Sequence, residues 1–399
     1  MSALATGHEG GGGRVDAAPL ACQREAFSIP AGVHYLNCAY ISPLPRATEE
    51  AVIRGLRRKR LPTTIAAPDF FRDAEEARRR FARLLGGDAE RVALFPSASY
   101  AVAVCARNLP LARGQNVVLT HEQFPGNVYA WRRRAAEAGA ELRVVEPPAG
   151  PPRGEGWNAR LLEAIDGDTA LVSLPHVHWT DGTLFDLEAM GARAREVGAA
   201  LVVDATQSAG ALPLDLARVQ PDALLTAGYK WLLCPYSTAL AHLGPRFDGG
   251  VPLEETWMGR EGSEDFQRLV DYRDEYLPGA RRYDVGEVAN FALLPGVLAS
   301  LGLVLDWRPE RVQDYLRGLT AELLAVAAGR GFGVEAEGWR GHHLFGIRMR
   351  ADVELASLKR RLDEAGIAAS LRGTALRVSP YLYNDRGDLD ALTEVLATT

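Results

Sequence analysis

Cysteine is scarce in this sequence: only Cys22, Cys38, Cys105 and Cys234 occur in 399 residues, and no two form a C-x-x-C pair. So few thiols in so long a chain exclude a disulfide framework, and a reduced, cytoplasmic setting is expected. No metal site is expected either. Long apolar runs are also missing, and nothing approaches the ~20 residues that a membrane-crossing helix needs. Charge of one sign does not dominate. The formal net charge is -6, which argues against nucleic acid or an anionic membrane as the main partner. The basic runs Arg78–Arg80 and Arg132–Arg134 lie in helical patterns beside Ala and Glu and read as solvated faces. The first residues lack an apolar stretch behind a positive one, so no secretory signal is expected. Their glycine run, Gly10–Gly13, points to a flexible tail over residues 1–25.

What is present suits a well-buried interior. Apolar residues make up 47% of the chain, and 399 residues fit one large α/β unit plus a smaller one. Short apolar strands are predicted at Val92–Phe95, Asn116–Thr120, Leu142–Val145, Ala170–Leu174, Ala200–Val203, Leu224–Thr226 and Ser237–Ala241. Helical patterns fall over Arg46–Arg60 and Phe70–Leu85, and again up to Asn108 and over Tyr129–Ala138. Pro147–Gly156 reads as a loop. This alternation predicts a mostly parallel sheet with helices on both faces. Beyond about Asn290 the pattern changes. Helices over Leu293–Trp307 and Val312–Ala328 precede strands Leu344–Arg348 and Ala375–Val378, which flank a helix at Leu355–Ala365. The expected division is a large unit over 26–290, including an N-terminal arm with a strand at Val33–Asn37, and a small α+β unit over 291–399.

Two strands end in residues that carry chemistry. Leu201-Val202-Val203 runs into Asp204, which puts a carboxylate at the carboxyl end of a buried parallel strand, where α/β sheets bind ligands. The next strand leads through Ala227-Gly228-Tyr229 to Lys230 and Trp231. A lysine between aromatic side chains, partly desolvated, has a lowered pKa and can act as a neutral amine nucleophile. Singly, Asp204 would read as a helix cap and Lys230 as a surface lysine. On consecutive strands they can converge on one small molecule. Pyridoxal 5′-phosphate needs this pair: an amine for a Schiff base with its aldehyde, and a carboxylate to keep its pyridine nitrogen protonated. Lys230, once released by a substrate amine, can then move the Cα proton.

Asp204-Ala205-Thr206-Gln207 and Gly228-Tyr229-Lys230 resemble segments of the class V aminotransferase group of fold type I pyridoxal phosphate enzymes. That group includes cysteine desulfurases, kynureninases and isopenicillin N epimerase-like proteins. The likeness runs from Tyr35-Leu36-Asn37 to Tyr381-Leu382-Tyr383-Asn384. It implies the fold type I transferase-like architecture and assigns further residues. Ser97-Ala98-Ser99 falls where the group binds the cofactor phosphate, and a helix N-terminus with free N–H groups suits a dianion. Phe124, in Gln123–Tyr129, is similar to the ring that stacks on the cofactor. Gln207 stands where the 3′-oxygen is contacted, while Tyr229 and Thr226 are implied phosphate partners. Arg377, in Leu376–Pro380, resembles a clamp whose planar fork grips the substrate α-carboxylate. Asn37, with His178 and Trp179 of the segment His176–Gly182, is implied to line the substrate site. Asn290 ends Tyr283–Asn290, which corresponds to a loop that reaches the partner subunit's site in relatives; a homodimer with shared active sites is implied.

The chain also departs from the group. Desulfurases accept sulfur on a cysteine in the C-terminal part, and here no cysteine follows Cys234. Kynureninases carry histidine in place of Gln207. Ala98 and Ala227 stand where desulfurases have threonine and serine. The expectation is an enzyme that engages an L-amino acid through its amine, removes the Cα proton and cleaves at Cβ, as a lyase acting on a C–S or C–C bond. Transamination and epimerisation are the alternatives within the same chemistry, and a non-catalytic ligand-binding protein on this fold is the remote one.

Overall fold

The computed structural model describes residues 18–399. A short strand, β1 (His34–Tyr35), precedes helices Arg46–Arg58 and Asp69–Leu85. Seven strands follow: β2 (Val92–Phe95), β3 (Asn116–Thr120), β4 (Glu141–Val145), β5 (Thr169–Pro175), β6 (Ala200–Asp204), β7 (Ala223–Ala227) and β8 (Ala239–Leu243). They form one sheet in the order β2-β8-β7-β6-β5-β3-β4. β8 runs antiparallel to both neighbours, and the remaining pairs are parallel. All residues of β2, β3, β6 and β7 are buried, because helices cover both faces of the sheet. That is why these strands read as continuous apolar runs.

The two faces are filled by different side chains. Ala200 and Val202 of β6 pack with helix Ala98–Asn108, whereas Leu201 and Val203 pack on the opposite side. β7 repeats the rule, with Ala223 and Leu225 on the first face and Leu224 on the second. A one-residue slip would exchange the faces. Since each buried Val or Leu contributes about 1.5–3 kcal/mol, the core fixes the register and hence which strand-end side chains share a face. By the same alternation Asp204 and Ala227 belong to the helix 98–108 face and Thr226 to the other. After β2 the chain crosses the sheet to β3, beyond β8, β7, β6 and β5. The crossing opens a crevice at the carboxyl ends of the strands.

Helices Leu294–Trp307 and Pro309–Gly329 lead to β9 (Gly333–Val334) and β10 (Phe345–Arg348). Helix Leu355–Glu364, β11 (Ile367–Ala368), β12 (Ser370–Arg372), β13 (Ala375–Val378) and helix Arg386–Ala397 complete the chain. β12-β13-β10-β9 is an antiparallel sheet. Leu376 and Val378 pack with Leu323, Leu389 and Leu392, which leaves Arg377 on the opposite face, together with Ser370 and Arg372.

Several expectations change. The arm grouped with residues 26–290 makes its strand contacts with the C-terminal part: β1 pairs parallel with β11, and Asn37 bridges to Ser379. Of the tail expected over 1–25, residues 1–17 lie outside the described residues, but 18–25 are not all free. Gln23 N donates to Leu382 O at 2.6 Å, and Arg24 pairs with Asp388 at 3.1 Å, drawn in by a carboxylate that is buried among hydrogen-bond donors. A helix at Gly154–Ala164 replaces part of the loop predicted at Pro147–Gly156. The segment Tyr283–Asn290 begins anchored in its own chain, with Asp284 buried against Arg78 and accepting from Leu94 N at 2.9 Å. No helix among the described residues is long and apolar enough to cross a membrane.

Candidate active site

Residues from five strand ends meet around a cavity of about 450 Å³. Pro96 to Ser99 follow β2, and Gln123, Phe124 and Gly126 follow β3. Pro175, Val177 and Trp179 come from the end of β5 and beyond. Asp204, Thr206 and Gln207 come from β6, Ala227, Tyr229 and Lys230 from β7, and Tyr236 to Thr238 from the turn before β8.

Lys230 is 5% exposed. Its Nζ stands 5.5 Å from the centre of the Phe124 ring and 5.7 Å from that of Tyr229. Gly228 allows the chain to turn here, since a Cβ at that position would come within 2.6 Å of Thr238 Oγ1. Burial pulls the Lys230 pKa down to about 8, helped by the positive charge of Arg377 and opposed by Asp204. An amine held there has a far larger neutral, nucleophilic fraction near ordinary pH than an ordinary lysine has. Asp204 is 8% exposed, and its Oδ1 accepts from Thr206 N at 2.9 Å. Burial pushes its pKa up, while the Thr206 hydrogen bonds and Lys230 hold it down. Among the described residues no cation lies within ion-pair distance of Asp204.

At another wall Ser97 caps helix Ala98–Asn108, its Oγ accepting from Tyr100 N at 3.2 Å and lying 3.0 Å from Ser99 Oγ. The free N–H groups and positive dipole end of this helix begin at the cavity. Phe124 lies over Lys230 and meets Trp179 edge-to-face at 5.5 Å. The cavity thus offers an amine, a carboxylate, an aromatic face and an anion-accepting helix end. Those are the groups that pyridoxal phosphate requires, and the residues fit it.

Behind Trp179 stands Arg377, 1% exposed. Its Nη1 donates to Trp179 O at 2.8 Å and its Nη2 to Asn37 Oδ1 at 3.3 Å, while Nε is buried without a partner. Among the described residues no carboxylate pairs with it. Asn37 is held in turn by Ser370 Oγ at 3.0 Å. Gln207 is fixed in the wall, donating to Ala39 O at 3.1 Å and accepting from Trp231 Nε1 at 3.0 Å.

Five expected residues do not line the cavity: Asn37 and Arg377, which stand behind the Trp179 wall, and Thr226, His178 and Asn290. Thr226 lies on the opposite sheet face and donates to Ala227 O at 3.2 Å. The strand pleat sends it away, and Thr206, which accepts from Ala227 N at 3.1 Å, lines the cavity instead. His178 is fully buried, with Nδ1 2.7 Å from Thr180 Oγ1 and Nε2 3.0 Å from His121 O. It packs on Trp157, so both ring nitrogens serve the loop rather than a substrate. Asn290 lies in the turn before helix Leu294–Trp307, accepting from Leu293 N at 2.9 Å, outside the Lys230 cavity of its own chain. Ser237 and Thr238 of the lining were missed, as was Arg372, which lies behind the lining over the Trp179 ring. Thr206 was adjacent to the Asp204 motif and could have been read there, whereas Arg372 is brought in only by the β12–β13 register.

Comparison with known proteins agrees with this geometry. Residues 64–240 match the family described as aminotransferase class-V. The chain is 28% identical to isopenicillin N epimerase of Streptomyces clavuligerus over 376 residues, covering 90% of this chain and 93% of that protein. It is 30% identical to kynureninase of Pseudomonas fluorescens over 283 residues, or 67% of this chain and 64% of that protein. Among solved structures, a variant of C-DES with glycine covalently linked to the pyridoxal phosphate cofactor superposes with a TM-score of 0.78. That match has 19% identity and covers 94% of this chain and 98% of the other; it establishes the fold.

Proposed function

We propose that this chain, which belongs to the class V aminotransferase family, is an enzyme that holds pyridoxal phosphate on Lys230 and acts on an L-amino acid by removing its Cα proton. When bound, the cofactor supplies an electron-withdrawing ring. The Lys230 amine would hold the cofactor covalently and would take up and return the proton at the substrate Cα. Asp204 holds a proton on the pyridine nitrogen. Phe124 covers the ring face and keeps water from it, while Ser97, Ser99 and the helix end hold the phosphate, with Ser237 and Thr238 nearby. Tyr229 supplies a further wall. Arg377, oriented by Asn37 and the Trp179 carbonyl, fixes the substrate α-carboxylate. The observation that carries the reading is the meeting, in one cavity, of a buried Lys230 whose lowered pKa favours the free amine and a buried Asp204.

Cleavage at Cβ is the outcome we place first. Lys230 is the one basic side chain among the lining residues, which favours proton movement on one face over two-base inversion. Likeness to a kynureninase supports it, while the likeness to isopenicillin N epimerase over 90% of the chain keeps epimerisation as the second reading. Cys38 is poorly suited to sulfur transfer, because burial pushes its thiol up to about 12. Large exposed apolar side chains, including Tyr40, Leu56, Leu61, Tyr236 and Tyr272, support a homodimer, and four free thiols suit the cytoplasm. Incubating the enzyme with a panel of amino acids tests the reaction class. Pyruvate, alanine or sulfide as product supports Cβ cleavage; stoichiometric keto acid without cleavage, or inversion alone, contradicts it.

A further inference from the structure

We propose that the substrate carries a second anionic group on its side chain, held by Arg372 next to the Arg377 clamp. This rests on the function proposed above and narrows its substrate class to acidic amino acids.

Ser370 of β12 pairs with Arg377 of β13, so Arg372, two residues along, lies on the same sheet face. Diagonal neighbours of this kind are roughly 7–8 Å apart at the backbone, within reach of two long side chains that close on one ligand. The guanidinium of Arg372 sits 5.6 Å from the centre of the Trp179 ring, and the Trp179 carbonyl accepts from Arg377. Both arginines therefore flank one wall residue of the cavity. Each has a buried Nε without a partner. Among the described residues the one side-chain hydrogen bond of Arg372 is from Nη1 to Leu371 O at 3.0 Å. Among the described residues neither arginine pairs with a carboxylate, and Lys230 adds a third positive charge nearby.

Like charges on adjacent strands repel, and a buried cation such as Arg377 is costly without an anion, while the half-buried Arg372 stands beside it without a carboxylate partner among the described residues. A single α-carboxylate would satisfy Arg377 and leave Arg372 unbalanced. An amino acid whose side chain ends in a carboxylate would engage both forks through charge-assisted bonds. Trp179 lines the cavity, meets Phe124 edge-to-face and carries Arg372 over its ring, which sets the second fork just behind that wall.

The test uses unreactive acids of equal length. Calorimetric titration of the cofactor-loaded enzyme with succinate and with butyrate reads binding without turnover. Succinate should bind at least about tenfold tighter. Arg372→Gln should abolish that preference and leave butyrate affinity unchanged, Arg372→Lys should retain part of it, and Arg377→Ala should weaken both acids. Equal binding of the two acids by the unaltered enzyme, or an Arg372→Gln loss shared by both, would overturn the inference. The visible band of the bound cofactor is recorded on the same samples. A normal band without acid preference refutes this inference alone, whereas failure to hold the cofactor refutes the proposed function.

Discussion

The amine of Lys230 lies 5.5 Å from the centre of the Phe124 ring, in a setting where burial and Arg377 together hold its pKa near 8. A free amine is what captures an aldehyde. Cofactor-free enzyme should therefore bind added pyridoxal phosphate faster as pH rises, levelling off above about 8, where an ordinary lysine would continue to gain past ~10. Arg377→Ala removes a positive neighbour and should move the midpoint upwards. Stopped-flow absorbance measures both; an unchanged midpoint in the variant contradicts the electrostatic account.

Among the described residues no cation forms an ion pair with Asp204, so its contribution should appear in the reaction rather than in cofactor attachment. Asp204→Ala should keep the cofactor but lose roughly 10²–10³-fold in kcat, the range for removing one preorganised charge-stabilising group. Full turnover in that variant removes the role assigned to it.

Arg377 is held in place by neutral acceptors, the Trp179 carbonyl and Asn37. Charge-assisted hydrogen bonds contribute about 1.5–3 kcal/mol. Arg377→Ala should accordingly raise KM for amino acids roughly 10- to 100-fold, with little change for amines that lack a carboxylate. Equal effects on both would exclude the clamp.

Outside the cavity lining, the Arg78 and Asp284 side chains are 2% and 7% exposed and pair with each other. Arg78→Ala leaves a buried carboxylate unpaired and should cost about 3–5 kcal/mol, measured by urea unfolding. Replacing both by leucine should recover much of the loss. Recovery no better than the single variant would mean that Arg78 acts mainly through its contact with Val92 O.

Strand-end chemistry was legible because buried parallel strands announce themselves. Asp204 ends β6 and Lys230 follows β7, and both line the cavity as their spacing predicted. Helix Ala98–Asn108 and strand Asn116–Thr120 likewise fall where periodicity put them. The loop reading of Pro147–Gly156 failed because Gly154 and Gly156 look like breakers. Gly154 instead opens a helix pressed so closely on Trp339 that a Cβ would come within 2.5 Å. Thr226 was misplaced because a motif says nothing about the pleat, and the neighbouring core residues decide which face it takes. Arg372 is a matter of register between two short strands, and no local pattern encodes that. The antiparallel course of β8 is likewise set by its pairing partners.

The central claim is that Lys230 carries the cofactor. Borohydride reduction of the loaded enzyme, followed by digestion and peptide mass spectrometry, tests it most directly. The account predicts a reduced pyridoxyl adduct on the peptide containing Lys230 and none in Lys230→Ala. An adduct on another lysine of the unaltered enzyme, or one that survives at full yield in the variant, would contradict it.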